Sequence, residues 1–221
     1  MEALREMKDK EYDLAIIDPP YGIGWTNTIN YKTEKRRDSQ RKRGYKTHIP
    51  KNWDSCRPTK EYFKELRRVS KNQIIWGGNY FANILPLSRC WLIWDKMVNF
   101  SAVSNEMAWT SFNNKINIFS RHHGLDKGFL NTEGHIHPTQ KPVKLYEWLL
   151  HNYAKEGDKI LDTHLGSGSS AIACYNMGFS LDGFEIDKDY YEGAVKRLEI
   201  HKRQQVLFLP NEIFANNKQT L

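Results

Sequence analysis

No stretch of this 221-residue sequence is apolar for long enough to span a bilayer. The opening residues, MEALREMKDKEYD, carry too many charges for a secretory signal. Cysteine is scarce. Cys56, Cys90 and Cys174 are scattered, odd in number and without a CxxC pair, which argues against a disulfide framework and a structural zinc and suits a reducing, cytoplasmic setting. The pattern G-x-x-x-x-G-K-[ST] of a phosphate-binding P-loop is absent. So are internal repeats. His122, His123, His135 and His137 match no familiar metal-ligand spacing, so no metal is expected.

What is present is a globular composition, 39% hydrophobic and 13% aromatic, enough for a single α/β domain over residues 1–221. The formal net charge is +7, and all of the excess sits in one place. Residues 26–52 hold nine basic residues against Glu34 and Asp38, while the rest of the chain balances at 24 of each sign. A stretch of that kind fits a polyanion, or else a solvated loop. Its core is Lys35, Arg36, Arg37, Arg41, Lys42 and Arg43. The polar, aperiodic segment 26–58 reads as a long basic loop.

Around that loop the chain alternates between two periods. DLAIID, NQIIWGG, RCWLIWD, DKILD and SLDGFEID read as strands, and EMAWTSF and INIFSR as two more joined by the turn signal NNK. Helices are predicted over 2–8, over TKEYFKELRRV with Thr59 as N-cap, from Pro142 through Tyr153, over the segment closed by Gly178, and from Asp187 to about Lys202. The third of these shows an apolar face of Val143, Tyr146, Leu149, Leu150 and Tyr153. Strands alternating with helices predict a mostly parallel sheet with helices on both faces.

Two short motifs carry chemistry. In ILDTHLGSGSSAIAC a strand runs into a glycine turn and then a helix, so Gly166 and Gly168 let a ligand approach the backbone at the carboxyl edge of a sheet. Glu185 follows about 20 residues later at the next strand end, where an acid accepts hydrogen bonds from ribose hydroxyls. The arrangement points to an adenosine-containing cofactor. In DLAIIDPPYGIG, Pro19 and Pro20 have no N–H and a fixed φ, so the strand ends in stiff backbone. Asp18, preceding a proline, is held extended. The Asp18 carboxylate and the Pro19 carbonyl then make two acceptors in fixed geometry, which is what an amine with two N–H bonds needs. Tyr21 offers a flat face on which a base stacks, worth about 1–3 kcal/mol.

With these residues in view the sequence resembles the amino-methyltransferases of DNA, and the motif order resembles their beta (circularly permuted) group. DPPYG is similar to their catalytic motif, DTHLGSGSS to their S-adenosylmethionine loop, and HPTQKPVKLYEWLL to the segment that precedes that loop. The resemblance implies a Rossmann-like, seven-stranded sheet with one antiparallel strand. It implies methyl transfer from S-adenosylmethionine to the N6 amine of adenine in DNA after base flipping. Asp18, Pro19, Pro20 and Tyr21 would be catalytic. Asp162, Gly166, Ser167, Gly168, Ser169 and Glu185 would line the cofactor, with Thr139 and Lys141 near its methionine end. The basic loop would grip phosphates, residues 113–136 would reach base edges, and a homodimer or a second subunit would supply further contacts. D-P-P-Y is mostly an adenine-specific form, S-P-P-Y the usual form for the cytosine amine. Carbon methylation of cytosine needs a cysteine after proline, and Cys56, Cys90 and Cys174 follow Ser, Arg and Ala.

The chain departs from relatives at Thr163, His164 and Ser169, which stand where Pro, Phe and Thr are usual. It also begins at its first helix, without the short strand relatives carry before it, so one wall of the adenine site is expected to be missing. Two alternatives keep the enzyme: an N4-cytosine DNA methyltransferase, or one acting on RNA adenine or a protein amide. Another keeps only the fold: a non-catalytic DNA-binding partner subunit.

Overall fold

The computed structural model describes residues 2–23, 54, 56–97, 105–121, 136–137 and 139–205. The apolar run after Glu11 becomes β1 (Tyr12–Ile17), buried on both faces from Leu14 to Ile17. A strand apolar on both sides belongs inside a sheet covered on both sides. β1 lies between β2 (Ser70–Trp76) and β6 (Lys159–Asp162), parallel to each. The remaining strands are β3 (Trp91–Asp95), β4 (Glu106–Thr110), β5 (Asn117–Ser120) and β7 (Ser180–Gly183). The sheet runs in the order β5-β3-β4-β2-β1-β6-β7. β4 is antiparallel to both neighbours and every other pair is parallel, so one strand is reversed.

The NNK turn does join two strands, but they are not neighbours. Both edges of β4 are taken, by β2 and β3, so β5 adds to the free edge of β3. Of residues 113–136, expected to reach base edges, 117–120 are this edge strand, and 122–135 lie outside the described residues. So do Lys35, Arg36, Arg37, Arg41, Lys42 and Arg43.

The period-two alternation of the strands sorts the core. Ala15, Ile17, Ile75 and Leu161 face one side, covered by α1 (Glu2–Glu6) and α2 (Lys60–Val69). Thr59 caps α2, accepting from the Tyr62 N–H, and Tyr62, Phe63, Leu66 and Val69 are buried on one helical face. Leu14, Ile16, Ile74 and Trp76 face the other side, under α3 (Val143–Tyr153) and α4 (Ser169–Met177). Each such large side chain contributes about 1.5–3 kcal/mol by leaving water. In α3 the buried residues are Leu145, Tyr146, Leu149 and Leu150. Leu145, absent from the predicted face, stacks one turn before Leu149, while Val143 and Tyr153 sit at the rim. Asp187 caps α5 (Lys188–Gln205) through the N–H groups of Asp189 and Tyr190. No helix among the described residues is long and apolar enough to cross a membrane.

This topology decides where side chains meet. The parallel strands all end at one edge. The segments after β1, β2, β3, β6 and β7 therefore converge there, together with the beginning of the reversed strand β4.

Candidate active site

Two clusters share that edge. The first is the turn between β6 and α4. Gly166 and Gly168 have φ of 53° and 74°, in the left-handed region that glycine adopts without penalty. Gly168 is also pressed on α5: an added Cβ would stand 3.0 Å from the Ala194 Cβ. Glu185, just past β7, holds the turn in place. One carboxylate oxygen accepts from the Gly166 N–H at 2.8 Å and the other from the Asp187 N–H at 2.9 Å. Each oxygen keeps a second lone pair for further donors. Ile186, between two acids, stands fully exposed.

Ser167 and Ser169 lie inside the loop instead of facing outwards. Both are buried, their hydroxyls 3.1 Å apart, and Arg197 donates to the Ser167 carbonyl at 3.0 Å and to the Ser169 hydroxyl at 2.9 Å. Arg197 was not legible in advance, because its only sequence signal is a basic residue on a helix rich in them. The departures at Thr163 and His164 are accommodated by α2. The Thr163 hydroxyl lies 2.5 Å from the Tyr62 hydroxyl and 3.0 Å from His164 Nδ1, and the His164 ring meets Tyr62 edge-on at 5.6 Å. Burial pushes His164 down to about 4, so its imidazole is neutral at physiological pH.

Asp162 is buried beneath this loop, accepting from the Ser170 hydroxyl at 2.6 Å and the His164 N–H at 3.0 Å. Burial raises it to about 7 although those two donors pull the other way. The ordinary value is 3.8. Between the two values the folded protein keeps a proton that the unfolded chain has released. Stability from this group is therefore full below the unfolded value and declines as pH rises to 7, by about 1.4 kcal/mol per pH unit. Asp162→Asn removes the dependence. In denaturant titrations the stability of the wild type relative to the Asn variant is expected to fall between about pH 4.5 and 6.5 and to flatten above pH 7.5. Parallel curves would show that Asp162 titrates normally.

The second cluster follows β1. Pro19 is buried and Pro20 half-buried. The Tyr21 hydroxyl donates to Asp18 Oδ1 at 2.7 Å, and Lys141 donates to Asp18 Oδ2 at 2.5 Å. Lys141 also reaches Glu106 Oε2 at 2.9 Å, and Lys96 bonds the other Glu106 oxygen at 2.6 Å. Lys141 is thus placed on the carboxylate of the D-P-P-Y motif, with only 3% of its side chain exposed. Thr139 is bonded to His137, whose ring rests on Tyr190 of α5. Tyr21 spends one ring face on Tyr80, stacked at 5.0 Å with 16° between planes, and its hydroxyl orients Asp18, a role the sequence did not suggest.

Burial drives Asp18 upwards against the pull of Lys141. Burial likewise opposes charge on Glu106, but Lys141 and Lys96 outweigh it and bring Glu106 to about 2. Lys141 is raised in spite of its burial, because Asp18 and Glu106 stabilise the ammonium. Burial and Asp18 raise Tyr21 well above its usual value, so it remains a donor.

The two clusters adjoin. β1 and β6 are paired neighbours, Leu14 opposite Ile160 and Ala15 opposite Leu161, and both motifs leave the sheet at the same ends. Asp18 and Asp162 lie within each other's field, and the buried Tyr146 of α3 feels both.

Comparison with known proteins finds likeness in sequence and in fold. M.HpaI, a type II methyltransferase of Haemophilus parainfluenzae, is 39% identical over 71 residues, 32% of this chain and 23% of that protein. The matched stretches span about a quarter of the length of the curated relatives. Among solved structures, the complex of M1.HpyAVI with SAM superposes with a TM-score of 0.56 at 17% identity, over 89% of this chain and 94% of that one. The PvuII DNA methyltransferase (cytosine-N4-specific) gives 0.58 at 10% identity, over 92% and 88%. At such identities the likeness is one of fold. The family model N6_N4_Mtase, DNA methylase, matches residues 75–196, more than half of the sequence, and the chain belongs to that family.

Proposed function

We propose that this chain methylates DNA, transferring a methyl group from S-adenosylmethionine to an exocyclic base amine, with the N6 amine of adenine as acceptor. The observation that carries this reading is the placement of Asp18 and the Gly166–Gly168 turn at adjacent, parallel strand ends. The residues of the turn fit the cofactor. Two glycines without Cβ leave the backbone open, Glu185 has lone pairs for ribose hydroxyls, and the exposed Ile186 offers an apolar surface to a purine. When bound, S-adenosylmethionine supplies a methyl group on a sulfonium, whose departure as a neutral thioether needs no further activation.

The chain's own residues supply positioning and charge. A duplex hides base amines, so the target nucleotide is flipped out at a cost of a few kcal/mol. Asp18, fixed by Tyr21 and Lys141, accepts an N–H of the amine, with the Pro19 carbonyl as the second acceptor predicted from the sequence. The amine lone pair is then free to attack the methyl carbon as its bond to sulfur breaks, and the carboxylate stabilises the positive charge that develops on nitrogen. One amine proton is then lost to water to give the neutral methylamine. The Tyr21–Tyr80 stack offers an aromatic surface to the base. The charge excess in residues 26–52 supports a polyanionic partner.

The D-P-P-Y form supports adenine over cytosine, and the test is direct. The protein is incubated with methyl-labelled cofactor and duplex DNA, single-stranded DNA or RNA, and the products are digested to nucleosides and separated by mass. N6-methyladenine from duplex DNA is the expected product. N4-methylcytosine would transfer the same chemistry to the other amine, label in RNA alone would change the polymer, and no label in any polymer would overturn the reading.

A further inference from the structure

We infer that Lys141 is the positioning residue that holds the Asp18 carboxylate ionised and aimed, and that Glu106 and Lys96 set the charge balance in which it works. The inference rests on the methyltransferase reading of the site. Its basis is a chain of alternating charge that no local motif announces: Lys96, Glu106, Lys141 and Asp18, joined at 2.6, 2.9 and 2.5 Å. The chain ends on the Tyr21 hydroxyl.

An amine acceptor that stabilises a developing cation has to carry a negative charge. Asp18 is poorly placed to keep one unaided. Among the described residues five groups face it. Tyr21 and Tyr146 are neutral phenols, Asp162 keeps its own proton up to about pH 7, Glu106 is an acid whose field opposes its ionisation, and Lys141 is the cation in contact with it. Three-quarters or more of each carboxylate in the chain is covered, 18% of the Asp18 side chain and 23% of that of Glu106 remaining exposed, so water does little to screen them. Lys141 itself lies over the indole of the fully buried Trp76, 5.4 Å from the ring centroid, and Asp18 and Glu106 both stabilise its ammonium there. Lys96 occupies the outer oxygen of Glu106 and keeps that acid ionised without drawing Lys141 away. The four charges cancel, so removing any one of them leaves a net charge in the cluster.

Signs distinguish this role from simple packing. In a pH profile of single-turnover methyl transfer, Lys141→Met is expected to move the acidic limb upwards by at least about one pH unit, because Asp18 loses its cation, with rate recovering on the alkaline side. Lys141→Arg keeps the cation and leaves the limb near that of the wild type. Glu106→Gln is expected to move the limb the other way, downwards, because it removes a like charge and leaves Lys141 to Asp18 alone. If Lys141→Met is inactive at every pH, the carboxyl 13C titration of Asp18 in the folded variants gives the same reading. Limbs that stay fixed while rates fall, two shifts of the same sign, or an Asp18 titration that ignores both substitutions would overturn the assignment. A wild type that transfers no methyl group but shows the two opposed titration shifts would sink the methyltransferase reading and leave the electrostatic role of Lys141 standing.

Discussion

Asp18→Ala is expected to reduce methyl transfer by about a thousandfold or more, equivalent to about 4 kcal/mol of transition-state stabilisation, while leaving cofactor binding nearly unchanged. The split follows from how the edge of the sheet is divided. The Gly166–Gly168 turn is braced by Glu185, Arg197 and the Ser170–Asp162 pair, and none of these bonds involves Asp18. Asp18 is tied instead to Tyr21 and Lys141. The alanine variant loses the acceptor, and it also leaves the Lys141 ammonium facing the site with Glu106 as its remaining partner. A cation in that place repels the positive charge that develops on the attacking amine, so the loss exceeds that of one hydrogen bond. Asp18→Asn keeps one acceptor oxygen and gives up the charge and the other acceptor, which becomes an N–H donor, so its rate is expected between the other two. Calorimetry with S-adenosylmethionine and a single-turnover assay on the same preparations separate the two effects. Transfer at the wild-type rate by the alanine variant would remove Asp18 from the mechanism, whereas loss of cofactor affinity in step with rate would make it a scaffold of the binding loop.

Much of this edge was legible in the sequence because its parts are covalently contiguous. D-P-P-Y states its own geometry, since the prolines stiffen the backbone next to the acid. The glycine turn does the same, since Gly166 and Gly168 have positive φ as such a turn requires. The apolar run of β1 announced a buried strand, and the alternation of strands with helices announced helices on both faces of the sheet. What stayed hidden depends on strand direction. Glu106 opens β4, and the first residue of a strand reaches the functional edge only where that strand runs against its neighbours. Nothing within EMAWT encodes the reversal. Lys96 is hidden for a related reason: it leaves β3, two places from β2 in the sheet, and meets Glu106 only because β4 lies between them. Lys141 was noticed, but a lysine before a helix carries no address, and its ion pairs with Asp18 and Glu106 appear only when the segment before α3 folds over the ends of β1 and β4.

Gly77, immediately after β2, yields the second large effect, and it too depends on contacts across the sheet. Its φ is +66°, and a Cβ added there would overlap the Tyr21 ring at Cε1 and Cδ1. The backbone has little freedom to retreat, because the Gly77 N–H donates to the Met107 carbonyl at 2.8 Å. The ring has little either, with Tyr80 stacked on it at 5.0 Å and Phe81 meeting it at 6.3 Å. Gly77→Ala therefore swings Tyr21 away and breaks its hydrogen bond to Asp18. A displacement of about 1 Å in a positioning group costs on the order of a hundredfold in rate, and that is the expected loss of transfer. Cofactor affinity should persist, since the glycine turn lies beyond β1 on β6. The left-handed backbone adds its own penalty, roughly 1–2 kcal/mol for any residue with a Cβ. Gly157→Ala isolates that penalty: φ there is +85° and nothing lies within 4 Å of the added atom. The two variants are expected to lose similar stability from the backbone, with Gly77→Ala alone losing transfer. Equal activity in both, with the Tyr21 ring still on Asp18 in a structure of the variant, would mean that the packing of Gly77 under Tyr21 has no part in catalysis.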